Sequence, residues 1–309
     1  MPSDSSTADP TEVTSSARTS STGNATKSES LIFKGLGLPF ALLVIPFALW
    51  GAANNMTDLL VPAFQKVMSM SQTQSSLVQM AFYGAYFCMA LPAAYIIKRF
   101  SYKSGVVAGL FIYAAGAALC YPAAQSMSFN FFLVAFYVFA AGCAFLETAV
   151  APYVISMGPD DTATQRINLA QAFNPIGSLC GIYLGKNVIL AGLDKADADE
   201  RAAMASDVLL ELQTKELSNV VVAYLIIGVI SLILALVILV KKFPKGGEKD
   251  CSDTVAHAEN KFGPTLKRLM GNKNYIMAVI AQFFYVGCQI GVWTYTIKYL
   301  ITNNKAPLE

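Results

Sequence analysis

LPFALLVIPFALWGAANNMTDLLV, residues 38–61, runs from Leu38 to Ala53 without a charged or amide side chain and then admits Asn54, Asn55 and Asp58. A helix needs roughly 20 mostly apolar residues to cross a hydrocarbon core, and this stretch has that length. Lipid cannot solvate those three side chains: a carboxylate at mid-bilayer costs about 3 kcal/mol on insertion scales. The stretch is therefore read as a membrane span whose polar end has a task other than meeting solvent.

The rest of the chain agrees. Of 309 residues, 55% are hydrophobic and 14% charged, where a soluble domain carries about 25% charged residues. Net charge is +2, and no basic patch with interleaved aromatics suggests nucleic acid. The six cysteines (Cys88, Cys120, Cys143, Cys180, Cys251, Cys288) show no CxxC or metal-ligand spacing and are expected to be small core fillers. His257 is the only histidine and has no partner ligand, so no metal site is expected. There is no HExxH and no catalytic-looking Ser/His or Ser/Lys pair, so an intramembrane enzyme is the reading least expected.

Residues 1–33 are Ser/Thr-rich and read as a disordered tail without a cleavable signal. Seven spans succeed it, near 38–61, 75–98, 104–124, 129–157, 168–190, 219–243 and 275–301. Lys98, Arg99, Lys103, Arg166 and the Lys/Arg-rich segment from Lys241 to Lys273 lie in loops on one side, which the positive-inside rule makes cytosolic, together with the N-terminus. The domains are expected to be a six-helix bundle over 34–243, a central cytosolic loop over 244–272 and the first helix of a second bundle over 273–309. Six spans, a basic loop and a new span are what a six-plus-six transporter shows up to its midpoint, so the chain is read as part of a longer protein.

Helical spacing sorts the intramembrane polar residues into faces. Asn54, Asn55 and Asp58 share one on the first span, and Gln79, Tyr83 and Tyr86 one on the second. On the fourth, Glu147 comes after the small-residue run AAGCA, which lets a neighbouring helix approach closely. Asn168, Gln171 and Asn174 form a stripe on the fifth beside Pro175, and Gln282, Tyr285, Gln289 and Trp293 one on the seventh. Faces of this kind on five helices are satisfied together by a shared wet cavity. No Lys or Arg lies at similar depth within the spans to neutralise Asp58 or Glu147. A carboxyl that is protonated when shut off from water and ionised when opened to it carries a proton. Rings beside amides and carboxylates suit a sugar. Asp58 and Pro62 on the first span echo Glu147 and Pro152 on the fourth, as inverted three-span repeats with bent segments near the site would.

WGAANNMTDLLVPAFQ, LVQMAFYGAYFCMALPA, KRFSYKSGVVAGLFIYAAGAAL, FLETAVAPYV, NLAQAFNPIGS and AQFFYVGCQIGVWTY together resemble the L-fucose–proton symporter family of the major facilitator superfamily, from about Phe40 to Leu300. One departure is AAYIIKRFSYKSG, which keeps the basic half of the common facilitator loop signature and lacks its acid. The resemblance implies an all-α membrane protein with a twelve-helix fold, of which this chain holds the N-terminal six-helix half and the seventh helix. It puts the two essential acids at Asp58 and Glu147, the latter taking up the proton and contacting sugar, and polar sugar-site residues at Asn55, Gln171 and Asn174. Gln79 and Tyr83 join these from the stripes above, with Gln282, Tyr285, Gln289 and Trp293 on the seventh span.

The expectation is a proton-coupled transporter of L-fucose or a related hexose working by alternating access, monomeric when full length, in the plasma membrane, with the proton as coupling ion and no other cofactor. An uncoupled facilitator and a transport-inactive fragment or sugar sensor are the alternatives.

Overall fold

The computed structural model describes residues 30–194, 196, 198–241 and 262–304. Most of the expected tail, and Lys195, Lys249, Cys251 and His257, lie outside them. The chain divides into two compact units, Met1–Cys251 and Ser252–Glu309. The first holds α1 (Gly37–Val67), α2 (Leu77–Arg99), α3 (Tyr102–Gln125), α4 (Phe129–Ile155), α5 (Ala163–Gln171), α6 (Phe173–Leu184) and α7 (Ser206–Val240). The second holds α8 (Phe262–Met270) and α9 (Lys273–Asn304). Among the described residues, five helices, α1 to α4 and α7, are long and apolar enough to cross a membrane.

The turns between α2 and α3 and between α3 and α4 are short because serine starts the next helix. Ser101 accepts from the Ser104 amide and Ser128 from the Phe131 amide, each satisfying a donor that a helix start leaves free. α4 packs along α3 and α2, α1 along α6, and α3 along α7. The expected close approach at AAGCA is present: a Cβ on Gly142 would collide with the Tyr113 backbone. Phe139 through Leu146 are all buried before Glu147 emerges exposed. Rings fill the remaining core, with Phe64 edge-on to Phe132 at 5.0 Å and Tyr113 against Phe139 at 4.2 Å.

Two buried arginines clamp the ends of the bundle. Arg166, fully buried, donates to the carbonyls of Leu31, Val154, Ile155, Gly158 and Pro159 and to Thr162 Oγ1, at 2.6–3.3 Å. It therefore ties the end of α4, the start of α5 and the segment before α1 into one knot. At the opposite ends, Arg201 pairs with buried Glu216, with Nη1 to Oε2 at 2.9 Å, and also donates to the Lys66 carbonyl. Gln213 donates to the Val67 carbonyl at 2.7 Å, so the end of α1 is held by α7 and the loop before it.

Three expectations need correction. The fifth span is not one helix: α5 stops at Gln171, α6 begins at Phe173, and a π-helical turn comes next at Gly185–Ile189. Pro175 has no N–H to give the Gln171 carbonyl four residues back, which accounts for the break. α1 and α4, in contrast, stay helical across Pro62 and Pro152. Next, Cys120 and Cys143 are buried, but Cys88, Cys180 and Cys288 are exposed. Finally, the stretch expected as loop before the seventh span contains α8; its Pro264 sits in the first turn, where proline costs no hydrogen bond.

Candidate functional site

Polar residues of α1, α2 and α4 meet in two groups, one at Asp58 and one near Glu147. Asp58 and Glu147 are both exposed within the unit, and neither forms an ion pair among the described residues. Gln79 of α2 donates from Nε2 to Asp58 Oδ1 at 3.2 Å. Tyr83, one turn further along α2, is exposed and lies within electrostatic reach of Asp58. A second group adjoins Glu147. Trp50 Nε1 donates to the Tyr86 hydroxyl at 2.7 Å, and Tyr86 in turn stands beside Cys143 and Glu147. The Glu147 carboxyl itself meets no hydrogen-bond partner among the described side chains.

The amides divide by what they already bind. Asn55 donates to the Gly51 carbonyl at 3.0 Å within its own helix, which leaves its oxygen as an acceptor. Asn174 donates to the Phe47 carbonyl at 3.3 Å across the seam between α1 and α6. That seam is tight enough that a Cβ on Gly51 would collide with the Asn174 carbonyl. Asn168 and Gln171 are exposed, and Asn54 and Gln79 half-buried. Because α5 ends at Gln171, the carbonyl freed by Pro175 lies at the same position as this side chain.

Gln282, Tyr285 and Gln289 lie on α9 in the second unit, Gln282 and Tyr285 exposed there and Gln289 half-buried; the Trp293 side chain is outside the described residues. Their spacing places them on one face of an unbroken helix. Sequence reasoning missed Trp50 as a member of the site. The available signal was its position, four residues before Asn54 and so on the same helix face.

These residues can bind hydroxyls and flat apolar rings, and can hold a proton on a carboxyl with no fixed counter-charge. The Major Facilitator Superfamily profile matches residues 40–304, and the chain belongs to that superfamily. It is 39% identical over 272 residues to the L-fucose-proton symporter of Escherichia coli, covering 85% of this chain and 60% of that protein. The L-fucose-proton symporter of Haemophilus influenzae is likewise 39% identical, over 267 residues, with 85% and 61% covered. A glucose/galactose transporter of Brucella abortus is 31% identical over 288 residues, with 93% and 64% covered. The crystal structure of a major facilitator transporter in the outward conformation superimposes with a TM-score of 0.73 at 38% identity, over 86% of this chain and 63% of that one. The fold is thus the major facilitator fold of a multi-pass membrane protein, and the chain spans about 60% of the length of the symporters it matches.

Proposed function

We propose that the whole protein carries a monosaccharide, L-fucose or a related hexose, across the plasma membrane together with a proton, by alternating access and with the N-terminus in the cytosol. The observation that carries this reading is the pair of exposed carboxylates, Asp58 and Glu147, on a face without a basic partner and beside the Trp50–Tyr86 and Gln79–Asp58 hydrogen bonds. In this mechanism Glu147 takes the proton and Asp58 is the second acid. Asn55, Gln79, Tyr83, Gln171 and Asn174 bind sugar hydroxyls, and Gln282, Tyr285, Gln289 and Trp293 are the sugar-binding residues of α9. The names of the relatives favour coupling over uncoupled passage.

The test is to express the full-length protein in cells lacking other hexose carriers and to supply labelled L-fucose, D-galactose or D-glucose while monitoring external pH. Saturable accumulation with alkalinisation of the medium is expected. Saturable uptake that stops at equal concentrations inside and out, without any pH change, makes the protein an uncoupled facilitator, and no uptake of any of the three defeats the sugar assignment.

A further inference from the structure

The helix α8 is too short and too basic to be a span, yet it stops two residues before one starts. Gly271 and Asn272 separate Met270 from Lys273, and the Asn272 side chain accepts from the Asn274 amide at 3.0 Å, capping α9 as a new helix. Its position is therefore constrained by its neighbour. A helix joined by two residues to the mouth of a membrane span lies within a few ångströms of the bilayer surface.

Its sequence, FGPTLKRLM, is divided accordingly. At 100° per residue Leu266, Leu269 and Met270 fall within about 100° of arc, and Lys267 and Arg268 occupy the opposite side. Leu266 is 46% exposed and Met270 61%, with Leu269 half-buried, so most of the apolar arc is uncovered within its unit; both cations are exposed as well. No acidic residue occurs from Phe262 to Asn304, and Lys273 adds a further positive charge at the boundary. An apolar stripe below and cations above, at the level of the headgroups, is the pattern of helices that lie in the interfacial plane and attract anionic lipid.

We propose that α8 lies in the membrane interface, with Leu266, Leu269 and Met270 inserted among the acyl chains and Lys267, Arg268 and Lys273 bound to anionic headgroups of the adjoining leaflet. The helix then anchors the connection between the two units to the lipid surface, and the fixed entry point of α9 depends on the charge of that leaflet. Nothing in this requires sugar transport, so the test stands or falls apart from the transport assignment.

The 309-residue chain, with its cysteines replaced, is reconstituted in vesicles of phosphatidylcholine alone or mixed with phosphatidylglycerol. Single nitroxide labels are placed at positions 266, 267, 268 and 270. Labels at 266 and 270 should be relaxed by oxygen and shielded from an aqueous nickel chelate, and labels at 267 and 268 the reverse, with the contrast greater in the mixed vesicles. In parallel, the unaltered chain should exchange its amide hydrogens at 265–270 several-fold more slowly in the mixed vesicles, and Lys267→Gln with Arg268→Gln should remove that difference. Four water-accessible labels, or exchange equally fast in both vesicles, overturn the proposal. So does shielding of all four labels from both relaxants, which means that protein and not lipid covers the helix.

Discussion

Gln79 Nε2 and Asp58 Oδ1 are 3.2 Å apart, and that hydrogen bond ties α2 to the acidic end of α1, as the one from Trp50 to Tyr86 ties it further back. An amide can partner a carboxyl in either protonation state, because it can donate to the charged form and accept from the neutral one by turning over. A lysine there would hold the charge permanently.

Gln79→Leu in the full-length protein is accordingly expected to cut sugar uptake by about tenfold or more, since a hydrogen bond to a charged group contributes about 1.5–3 kcal/mol. Uptake kinetics measured over a range of sugar concentrations decide this. Kinetics equal to the unaltered protein mean that the contact has no part in transport.

Glu147→Gln keeps the size and hydrogen-bonding capacity of the side chain and removes its proton. Sugar-driven alkalinisation should vanish while exchange of labelled for unlabelled sugar partly survives. Persistence of alkalinisation would show that the proton travels on another group, with Asp58 the first to examine.

Arg201 and Glu216 form a buried pair, 2% and 0% exposed. Arg201→Met strands a carboxylate in the interior and is expected to destabilise the first unit by about 3–5 kcal/mol, whereas the double variant Arg201→Met with Glu216→Leu should recover most of that loss. Thermal unfolding in detergent reads both. A double variant no more stable than the single one would refute charge burial as the cause.

Gly177 packs directly on Ala48, and a Cβ there would collide with the Ala48 carbonyl. Gly177→Ala should cost about 1–3 kcal/mol by forcing α6 off α1. The same substitution at Gly84, inside α2 where a Cβ meets nothing within 4 Å, should leave the melting temperature unchanged or raise it slightly, since alanine is the better helix former. Equal effects at the two sites would show that the seam has room to spare.

The acids were legible in the sequence because charge in an apolar run has no bland explanation. So was the close packing at Gly142, since a run of small residues leaves room only for a backbone. The hydrogen bond from Trp50 to Tyr86 was not, because their pairing depends on how two helices face each other, which periodicity within each does not encode. The break after Gln171 has its signal in Pro175, but the stripe of Asn168, Gln171 and Asn174 runs in phase through it and reads as one helix. α8 was missed for a different reason: its nine residues carry proline, glycine and two cations, and only the position of its leucines against the adjoining span shows it as a helix.

The knot around Arg166 makes its six hydrogen bonds among the described residues to neutral acceptors, five carbonyls and one hydroxyl. A clamp built on an ion pair with aspartate or glutamate loosens when the carboxylate is protonated; none of these six acceptors titrates. The hydrogen bonds at the junction of α4 and α5 therefore do not depend on an acceptor that acid would protonate. Glu147 on α4 and Gln171 on α5 are thereby held in a fixed register that does not depend on any ionised acceptor.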